Sequence, residues 1–390
     1  MLGDLIGHLE KEEHRILRDT VARFAKDKIA PIAAKIDEED WFPEEIFKEM
    51  GQLGFTGIMI PEEYGGFGID PLSAVIVLEE IAKQSASVAL SLMVTSVLFG
   101  HNVAYWGQNE ELKKKYLPRI ASGEIIGAYA LTEPDAGSDS VSIKTRAERK
   151  GDYFIVNGQK MFITNAPVAD VFYVFVYTDP SKKKEGMSVL LIDRDMEGVT
   201  IAKKLEKMGM RGSPTGLIFF EDVKVPVSNI IGTEGMGYPQ MLKSLEIERM
   251  VISAISTGVS LAALDWMVRY ANERKQFGKP IGQFEMIMKK IADAGAQLDA
   301  VRTYLYTYAA TYDEEKDNRF ESASVKFLAS ETAVRITLDA IQVLGGYGYT
   351  KEYPVERYMR DAKLLDIGSG TSEIMRFVAA KSLLKAGKII

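Results

Sequence analysis

The sequence predicts an α+β protein with an all-helical N-terminal domain, a middle β-domain and a C-terminal bundle of long helices. Three observations predict this fold class. Residues 1–126 show apolar positions at helical spacing, residues 127–236 hold short β-rich segments between turns, and helical spacing returns over 237–390. Because strands and helices do not alternate, the order argues against a doubly wound nucleotide-binding fold.

Both helical regions are predicted from apolar spacing. Leu17, Val21 and Phe24 repeat at helical spacing before Pro31, and residues 71–100 hold apolar runs interrupted by polar residues. Toward the C-terminus the chain has no further proline from Pro239 to Arg274. More helices are predicted at 283–313, 320–344 and 371–386.

The middle region is predicted to be a compact β-domain. Its strand candidates are DYFIVNG, QKMFIT, DVFYVFVYT, MSVLLID and GLIFFEDVKV. Turns are predicted between them at Asn157-Gly158, Lys184-Glu185-Gly186 and Glu197-Gly198.

Composition narrows the function. The net charge of -7 argues against a nucleic-acid partner. With no cysteine and three histidines, disulfides, thiolate metal sites and cysteine nucleophiles are excluded, and a histidine-based metal site has few candidates. Chemistry must therefore use carboxylates, hydroxyls, backbone amides or an organic cofactor. The acidic, amphipathic start and the lack of a long uninterrupted apolar window predict a cytoplasmic protein without a membrane span.

Long motifs in a fixed order carry the strongest functional signal. They are YALTEPDAGSDSVSIKTRA at 129–147, NGQKMFITNAPVAD at 157–170, FEDVKVP at 220–226, ERKQFGKPI at 273–281, QVLGGYGYTKEYPVERYMRDAK at 342–363 and GTSEIMR at 370–376. In order and spacing the chain resembles the acyl-CoA dehydrogenase family, and its active-site pattern is most similar to that of isovaleryl-CoA dehydrogenases. The resemblance implies a middle β-barrel domain, a C-terminal four-helix bundle, FAD as cofactor, an acyl-CoA substrate, electron-transferring flavoprotein as electron acceptor, and a homotetramer built as a dimer of dimers.

The resemblance also assigns FAD to particular residues, although each segment alone could be a surface loop, core or a helix cap. A turn-rich loop, an arginine fork, a glycine turn and a helix N-terminus all suit phosphate or flavin oxygens. Phe162 replaces a tryptophan often found at its position, and Glu373 replaces a glutamine found in some members. The implied FAD residues are Tyr129, Leu131, Thr132, Gly137 and Ser138; Phe162, Ile163 and Thr164; Arg274, Gln276 and Phe277, which would reach the FAD of a neighbouring protomer; Gln342, Gly345 and Gly346; and Thr371 and Glu373.

The position of the catalytic base departs from the commonest family pattern. Many members carry a glutamate just before the last helix, where this chain has Ser369 in IGSGTSEI. Isovaleryl-CoA and long-chain acyl-CoA dehydrogenases carry it on the long helix that opens the C-terminal domain, and the matching residue is Glu248. Its helical neighbours are apolar: Met241, Leu245, Val251, Ile252 and Ile255. Burial there would raise the pKa of the Glu248 carboxyl, as suits a base, whereas a lone glutamate would more often be exposed or ion-paired.

The resemblance assigns the acyl-CoA to residues around this base. The Ser369 backbone N–H would bind the thioester oxygen together with a ribityl hydroxyl of FAD, and Arg249 would contact the acyl-CoA. Glu246 can pair with Lys243 and Arg249, as a CoA-contacting or structural acid. The implied substrate-binding residues are Ser138, Glu246, Arg249, Gly368 and Gly370.

The substrate is predicted from the small residues in this loop. Gly368 stands where several straight-chain enzymes have tyrosine, so Gly368 and Ser369 leave volume near Cβ and Cγ of the acyl chain. A short branched substrate is favoured. A medium or long straight chain, a small cyclic or aromatic acyl group, a flavin oxidase or monooxygenase, and a catalytically silent acyl-CoA-binding member stay open.

Overall fold

The N-terminal part of the chain is helical. The computed structural model describes residues 5–68, 70–202 and 204–387. Three helices begin at a polar cap: backbone N–H groups of the first turn donate to the side chains of Asp70, Ser85 and Asn109. The helices are α1 (Glu12–Phe24), α2 (Ala33–Glu38), α3 (Glu44–Gln52), α4 (Pro71–Ala82), α5 (Ala86–Met93), α6 (Asn102–Trp106) and α7 (Glu110–Ala121), with a π-helical segment joining α5 to α6.

Two helical segments, Ala86–Trp106 and Gly237–Glu273, are long and apolar enough to cross a membrane by length and composition. Their apolar windows are 100% and 72% buried inside the protein. This burial identifies them as core helices, because a spanning helix would turn its apolar surface to lipid.

The middle part forms a seven-stranded sheet among the described residues, in the order β1-β4-β2-β3-β7-β6, with β5 beside β4. Strand β4 pairs in parallel with β1 and antiparallel with β5, and all of it is buried because its two faces pack into two hydrophobic clusters. The strands are β1 (Gly127–Ala130), β2 (Arg146–Lys150), β3 (Tyr153–Thr164), β4 (Val171–Tyr177), β5 (Met187–Asp193), β6 (Val199–Ile201) and β7 (Thr215–Pro226).

The turn predicted at Asn157-Gly158 is wrong. DYFIVNG and QKMFIT are one continuous strand, β3, and the pairing register with β7 shifts between Val156 and Gly158. The Asn157 side chain donates to Asp222 Oδ1 and accepts from the Asp222 N–H, both at 2.9 Å. An Asn-Gly pair therefore makes a β-bulge here, because the partner strand continues past it.

The C-terminal part is a bundle in which α10 packs against the other helices. Its elements are α8 (Gly237–Glu273), the hairpin strands β8 (Lys275–Gln276) and β9 (Lys279–Pro280), α9 (Glu285–Ala310), α10 (Arg319–Leu344), α11 (Val355–Ile367) and α12 (Ser372–Ala386). Helix α11 was not predicted from the sequence, although its buried residues Val355, Tyr358, Ala362 and Leu365 recur at helical spacing.

Helix α8 also packs against α4 of the N-terminal part. Close approach is possible because a Cβ at Gly258 would lie 2.5 Å from the Glu79 carbonyl oxygen. In the same place Thr257 of α8 donates to Glu79 Oε2 at 2.7 Å, and Arg302 of α9 donates to Glu79 through Nε at 3.0 Å and Nη2 at 2.8 Å. Helix α8 is thereby fixed between the N-terminal helices and the bundle.

Candidate active site

Glu248 lies on α8 with a side chain that is almost fully buried, at 9% exposure. The structure brings it next to Ser369, 121 positions later in the chain, whose Oγ donates to Glu248 Oε1 at 2.6 Å. Burial raises the pKa of the Glu248 carboxyl, while the Ser369 hydrogen bond and the charges of Arg249 and Lys326 act in the opposite direction. Glu248 forms no salt bridge among the described residues. A buried carboxylate with a raised pKa and no salt bridge in the described chain is suited to accept a proton.

The loop between α11 and α12 presents Ser369 to this carboxylate. Ser369 has φ of +56° and Gly370 has φ of +93°, while Gly368 is half-buried beside them. Lys326 of α10 fixes the loop by donating from Nζ to the carbonyl oxygens of Gly370 at 2.6 Å and Asp366 at 3.4 Å.

Sequence reasoning missed Lys326. Its side chain is 1% exposed, and burial lowers the pKa of its ammonium to about 8, although the carboxylates of Asp366 and Glu248 act in the opposite direction. One feature of the sequence indicated its burial: the lysine stands among small and apolar residues, in the segment SASVKFLAS, and such residues favour close packing of a helix against its neighbours.

Arg249 follows the base in the sequence, and its side chain is buried. Its side chain makes no hydrogen bond or salt bridge to the described part of the chain, and its Nε is fully enclosed. The Tyr129 hydroxyl, at the end of β1, is likewise buried without a hydrogen-bond partner in the described ranges. Buried polar groups normally have partners, so these two groups indicate a bound molecule with acceptor atoms.

Glu246 pairs with Lys243 at 3.0 Å and makes no salt bridge with Arg249 among the residues described. Burial raises the pKa of the Glu246 carboxyl, opposed mainly by its hydrogen bond with Lys243. Two tyrosines that sequence reasoning missed, Tyr308 and Tyr312, contribute buried hydroxyls without partners in the described chain. Both hydroxyls lie within range of the Glu246 charge. Helical spacing did not single them out, because Tyr308 lies in the last turn of α9 and Tyr312 follows the helix.

A buried ion pair holds the loop that follows β1, which is the predicted flavin loop. Lys160, which is 0% exposed, donates to the Leu131 carbonyl oxygen at 3.0 Å and to Glu133 Oε1 at 2.9 Å. The Met161 N–H donates to the Thr132 carbonyl oxygen at 2.9 Å. Leu131 is buried and Thr132 half-buried, while Gly137 and Ser138 are exposed farther along the loop.

Phe162 turns its ring outward next to this loop. A register shift between Lys160 and Ile163 gives Phe162 a φ of +59° and leaves its side chain 60% exposed. Ile163 is buried and Thr164 half-buried. An exposed ring beside backbone groups of the Thr132 loop suits a flat aromatic ligand, and the alternative of Phe162 as core is wrong.

The remaining predicted FAD residues lie on two adjoining surface segments and on α12. Arg274 places its guanidinium 5.8 Å from the Tyr347 ring centre, so the hairpin and the glycine turn are neighbours. Gln276 and Gln342 are exposed, and Phe277 is 93% exposed. A Cβ at Gly345 or Gly346 would meet nothing within 4 Å of the described chain. Thr371 caps α12 by accepting from the Ile374 N–H at 3.4 Å, and Glu373 is exposed on its first turn.

These surface segments fit the FAD role implied by the resemblance. The protruding Phe277 and the open glycines leave room for a ligand or a second subunit, and the Arg274 guanidinium can hold a diphosphate. No hydrogen bond among the described residues joins the Arg274–Phe277 segment to the Thr132 loop.

A basic cavity of about 960 Å³ opens between the middle part and the start of α8. Lys144, Arg146 and the run Lys182–Lys184 line it together with the rings of Tyr177 and Tyr238. Sequence reasoning missed this cleft, although the three consecutive lysines were its signal. Cations beside aromatic rings suit a phosphorylated nucleotide.

Comparison with known sequences agrees with the geometry. Sequence models of the acyl-CoA dehydrogenase N-terminal, middle and C-terminal domains match residues 11–124, 128–223 and 235–384. The chain belongs to the acyl-CoA dehydrogenase family. Its members are oxidoreductases, and among its relatives are the mitochondrial isovaleryl-CoA dehydrogenase of Solanum tuberosum, 41% identical, and the mitochondrial 2-methylacyl-CoA dehydrogenase of the same plant, 42% identical. Each of these two alignments covers 94% of this chain and 90% of the relative.

Two solved structures superpose closely on this chain. Butyryl-CoA dehydrogenase from Megasphaera elsdenii has a TM-score of 0.93 and 37% identity, over 96% of this chain and 99% of that one. The FAD complex of PigA also has a TM-score of 0.93, with 31% identity over 97% of this chain and 99% of that one. The predicted fold, with its helical, β and helical domains, is thereby confirmed.

Proposed function

We propose that this acyl-CoA dehydrogenase uses FAD to convert an acyl-CoA into the trans-2-enoyl-CoA, with Glu248 as the base. One observation carries the proposal: the buried Glu248 carboxylate, held by Ser369 at 2.6 Å, lies next in sequence to a buried guanidinium without a partner in the described chain. A reaction that removes a weakly acidic proton needs such a base and donors that hold the thioester.

The residues of the site have separate roles in the proposed reaction. Glu248 takes the proton from Cα, a hydride leaves Cβ, and the Cα–Cβ double bond forms. The Ser369 backbone N–H holds the thioester oxygen, where negative charge develops, and Arg249 donates to the acyl-CoA. FAD, when bound, supplies the hydride acceptor. Thr132, Phe162 and Thr164 would hold its ring, and the Arg274 segment of a second protomer would hold its phosphates.

The basic cavity supports the proposal that the enzyme binds the substrate through its CoA moiety. Its five cationic side chains suit the phosphates of the CoA nucleotide, and Tyr177 or Tyr238 suits stacking against the adenine. Glu246, Tyr308 and Tyr312 offer buried polar groups to the amides of the pantetheine arm.

We propose a short branched acyl group as substrate. Gly368 and Ser369 place little bulk beside the base, and two similar relatives act on isovaleryl-CoA and 2-methylacyl-CoA by their names. We further propose a cytoplasmic homotetramer that passes electrons to electron-transferring flavoprotein. Analytical sedimentation tests the tetramer, and cell fractionation tests the location. Reoxidation of the reduced enzyme by electron-transferring flavoprotein tests the electron acceptor.

An anaerobic titration of the FAD-loaded protein tests the proposal. The visible flavin band is followed while isovaleryl-, isobutyryl-, butyryl-, octanoyl- or palmitoyl-CoA is added. Bleaching by isovaleryl- or isobutyryl-CoA at the lowest concentrations is expected. Bleaching by straight chains alone would keep the enzyme class and reject the branched substrate, whereas no bleaching by any of them would support a silent acyl-CoA-binding protein.

Glu248→Gln tests the base. We expect flavin reduction to slow by about 10²–10⁴-fold, because removing a positioned base costs that order of rate. Glu246→Gln is the matched control, since it removes a buried carboxylate two residues away on the same helix. It should weaken acyl-CoA binding and retain most of the reduction rate at saturation. Equal losses in both variants would reject Glu248 as the base.

A further inference from the structure

Ser369 occupies a backbone conformation that a serine rarely adopts. Its φ of +56° lies in the left-handed region, which favours glycine, and both its neighbours are glycines. Glycine would adopt this conformation without strain. A strained residue at a functional site indicates that its side chain has a task there.

The Ser369 side chain is aimed at one oxygen of Glu248. The hydroxyl donates to Oε1 at 2.6 Å, whereas Oε2 accepts no hydrogen bond from the described residues. The loop that carries the hydroxyl is itself fixed, since Lys326 donates to the Gly370 carbonyl oxygen at 2.6 Å and Ser372 hydrogen-bonds Asp366. The hydroxyl therefore holds a set position relative to α8.

We propose that the Ser369 hydroxyl is a positioning group for the base: it holds Glu248 in one rotamer, occupies Oε1, and leaves Oε2 to take the Cα proton. The inference rests on the proposed function of Glu248 as base. It adds a role for the side chain that is separate from the backbone N–H of the same residue.

The hydroxyl has a second effect on the carboxyl. A hydrogen bond to the ionised form favours that form, so it offsets part of the rise in the pKa that burial causes. The other charged or titratable groups that face Glu248 are Arg249 on α8, Lys326 on α10 and Tyr129 on β1. Loss of the hydroxyl leaves these three in place, so the pKa of Glu248 should rise.

Two variants separate positioning from structural support. Ser369→Ala removes the hydroxyl and keeps the strained Cβ, whereas Ser369→Gly removes both. If the hydroxyl positions the base, both variants shift the pH profile of flavin reduction at saturating isovaleryl-CoA upward by about one unit. The rate below the pKa of the base then falls about tenfold, since one pKa unit is a factor of ten in the ionised fraction.

Thermal unfolding distinguishes a merely structural role. Ser369→Gly should unfold at the wild-type temperature or above it, because glycine relieves the φ of +56°. A profile that stays unshifted in both variants, or activity lost together with thermal stability in Ser369→Gly, would overturn the inference.

A spectroscopic titration follows the pKa of the same carboxyl in the free enzyme, without turnover. The carboxylic acid C=O stretch that Glu248→Gln removes is followed by infrared difference spectroscopy from pH 5 to 9, and both Ser369 variants should titrate about one unit higher. Failure of the proposed function would look different: wild-type flavin would not bleach with any acyl-CoA. Bleaching that needs Glu248, with an unshifted infrared titration in the Ser369 variants, would sink this inference alone.

Discussion

Replacing Lys160 with methionine removes the buried cation below the Thr132 loop. In the wild-type protein the Lys160 ammonium donates to the Leu131 carbonyl oxygen at 3.0 Å and to Glu133 Oε1 at 2.9 Å. Methionine keeps most of the side-chain volume and loses both hydrogen bonds. The variant therefore measures how much this pair holds the loop in place.

The expected destabilisation follows from the charge left behind. Removing one partner of a buried ion pair costs about 3–5 kcal/mol, because the other charge stays buried. Glu133 keeps three donors, the Lys144 N–H, the Thr145 N–H and the Thr145 hydroxyl, at 2.6–3.0 Å. These bonds continue to satisfy the carboxylate, so we expect a loss near the lower end, about 3 kcal/mol.

Urea unfolding followed by circular dichroism measures this loss of stability. The double variant Lys160→Met with Glu133→Gln is the control: it buries no unpaired charge and should recover about 1–2 kcal/mol of the single variant's loss. FAD affinity should fall in the single variant more than in the double. A single variant that loses less than about 1 kcal/mol, or a double variant less stable than the single, would refute the reasoning.

Three further predictions concern other parts of the chain. Burial raises the pKa of Asp361 to about 6. The folded state therefore holds this proton more tightly than the unfolded state, and the stabilisation is lost as pH rises from about 4 through 6. In Asp361→Asn the urea midpoint should depend less on pH over that window, and an unchanged dependence would contradict the prediction. Arg302→Met should lower unfolding free energy by about 3–5 kcal/mol, because Glu79 is 0% exposed, and adding Glu79→Gln should restore much of it in the same urea assay. Replacing Lys182–Lys184 with serines should raise KM for the acyl-CoA about tenfold, which is a loss of about 1.4 kcal/mol in binding. KM for the corresponding acyl-pantetheine, which lacks the nucleotide, should stay nearly unchanged. Equal rises for both substrates would reject a nucleotide site there.

Local pattern was sufficient for the order of the helical and β regions and for the long helices of the bundle. Apolar spacing predicted helices at 283–313 and 320–344, and the structure has α9 at Glu285–Ala310 and α10 at Arg319–Leu344. Such spacing reports directly on which side of a helix is buried. The residues alone likewise predict that a β region lies between two helical regions, and the absence of cysteine excludes disulfides.

Only the tertiary structure decided how distant residues meet. The family resemblance pointed to Glu248 and Ser369 together, but only the packing of α8 against the α11–α12 loop brings Ser369 Oγ to 2.6 Å from Glu248 Oε1. Pairing with β7 turned Asn157-Gly158 from a predicted turn into a bulge. Lys160 and Lys326 are buried because their partners, Glu133 and the 366–370 loop, come from other elements. Burial, pKa and hydrogen bonding of these groups depend on neighbours far away in the chain, which local spacing does not specify.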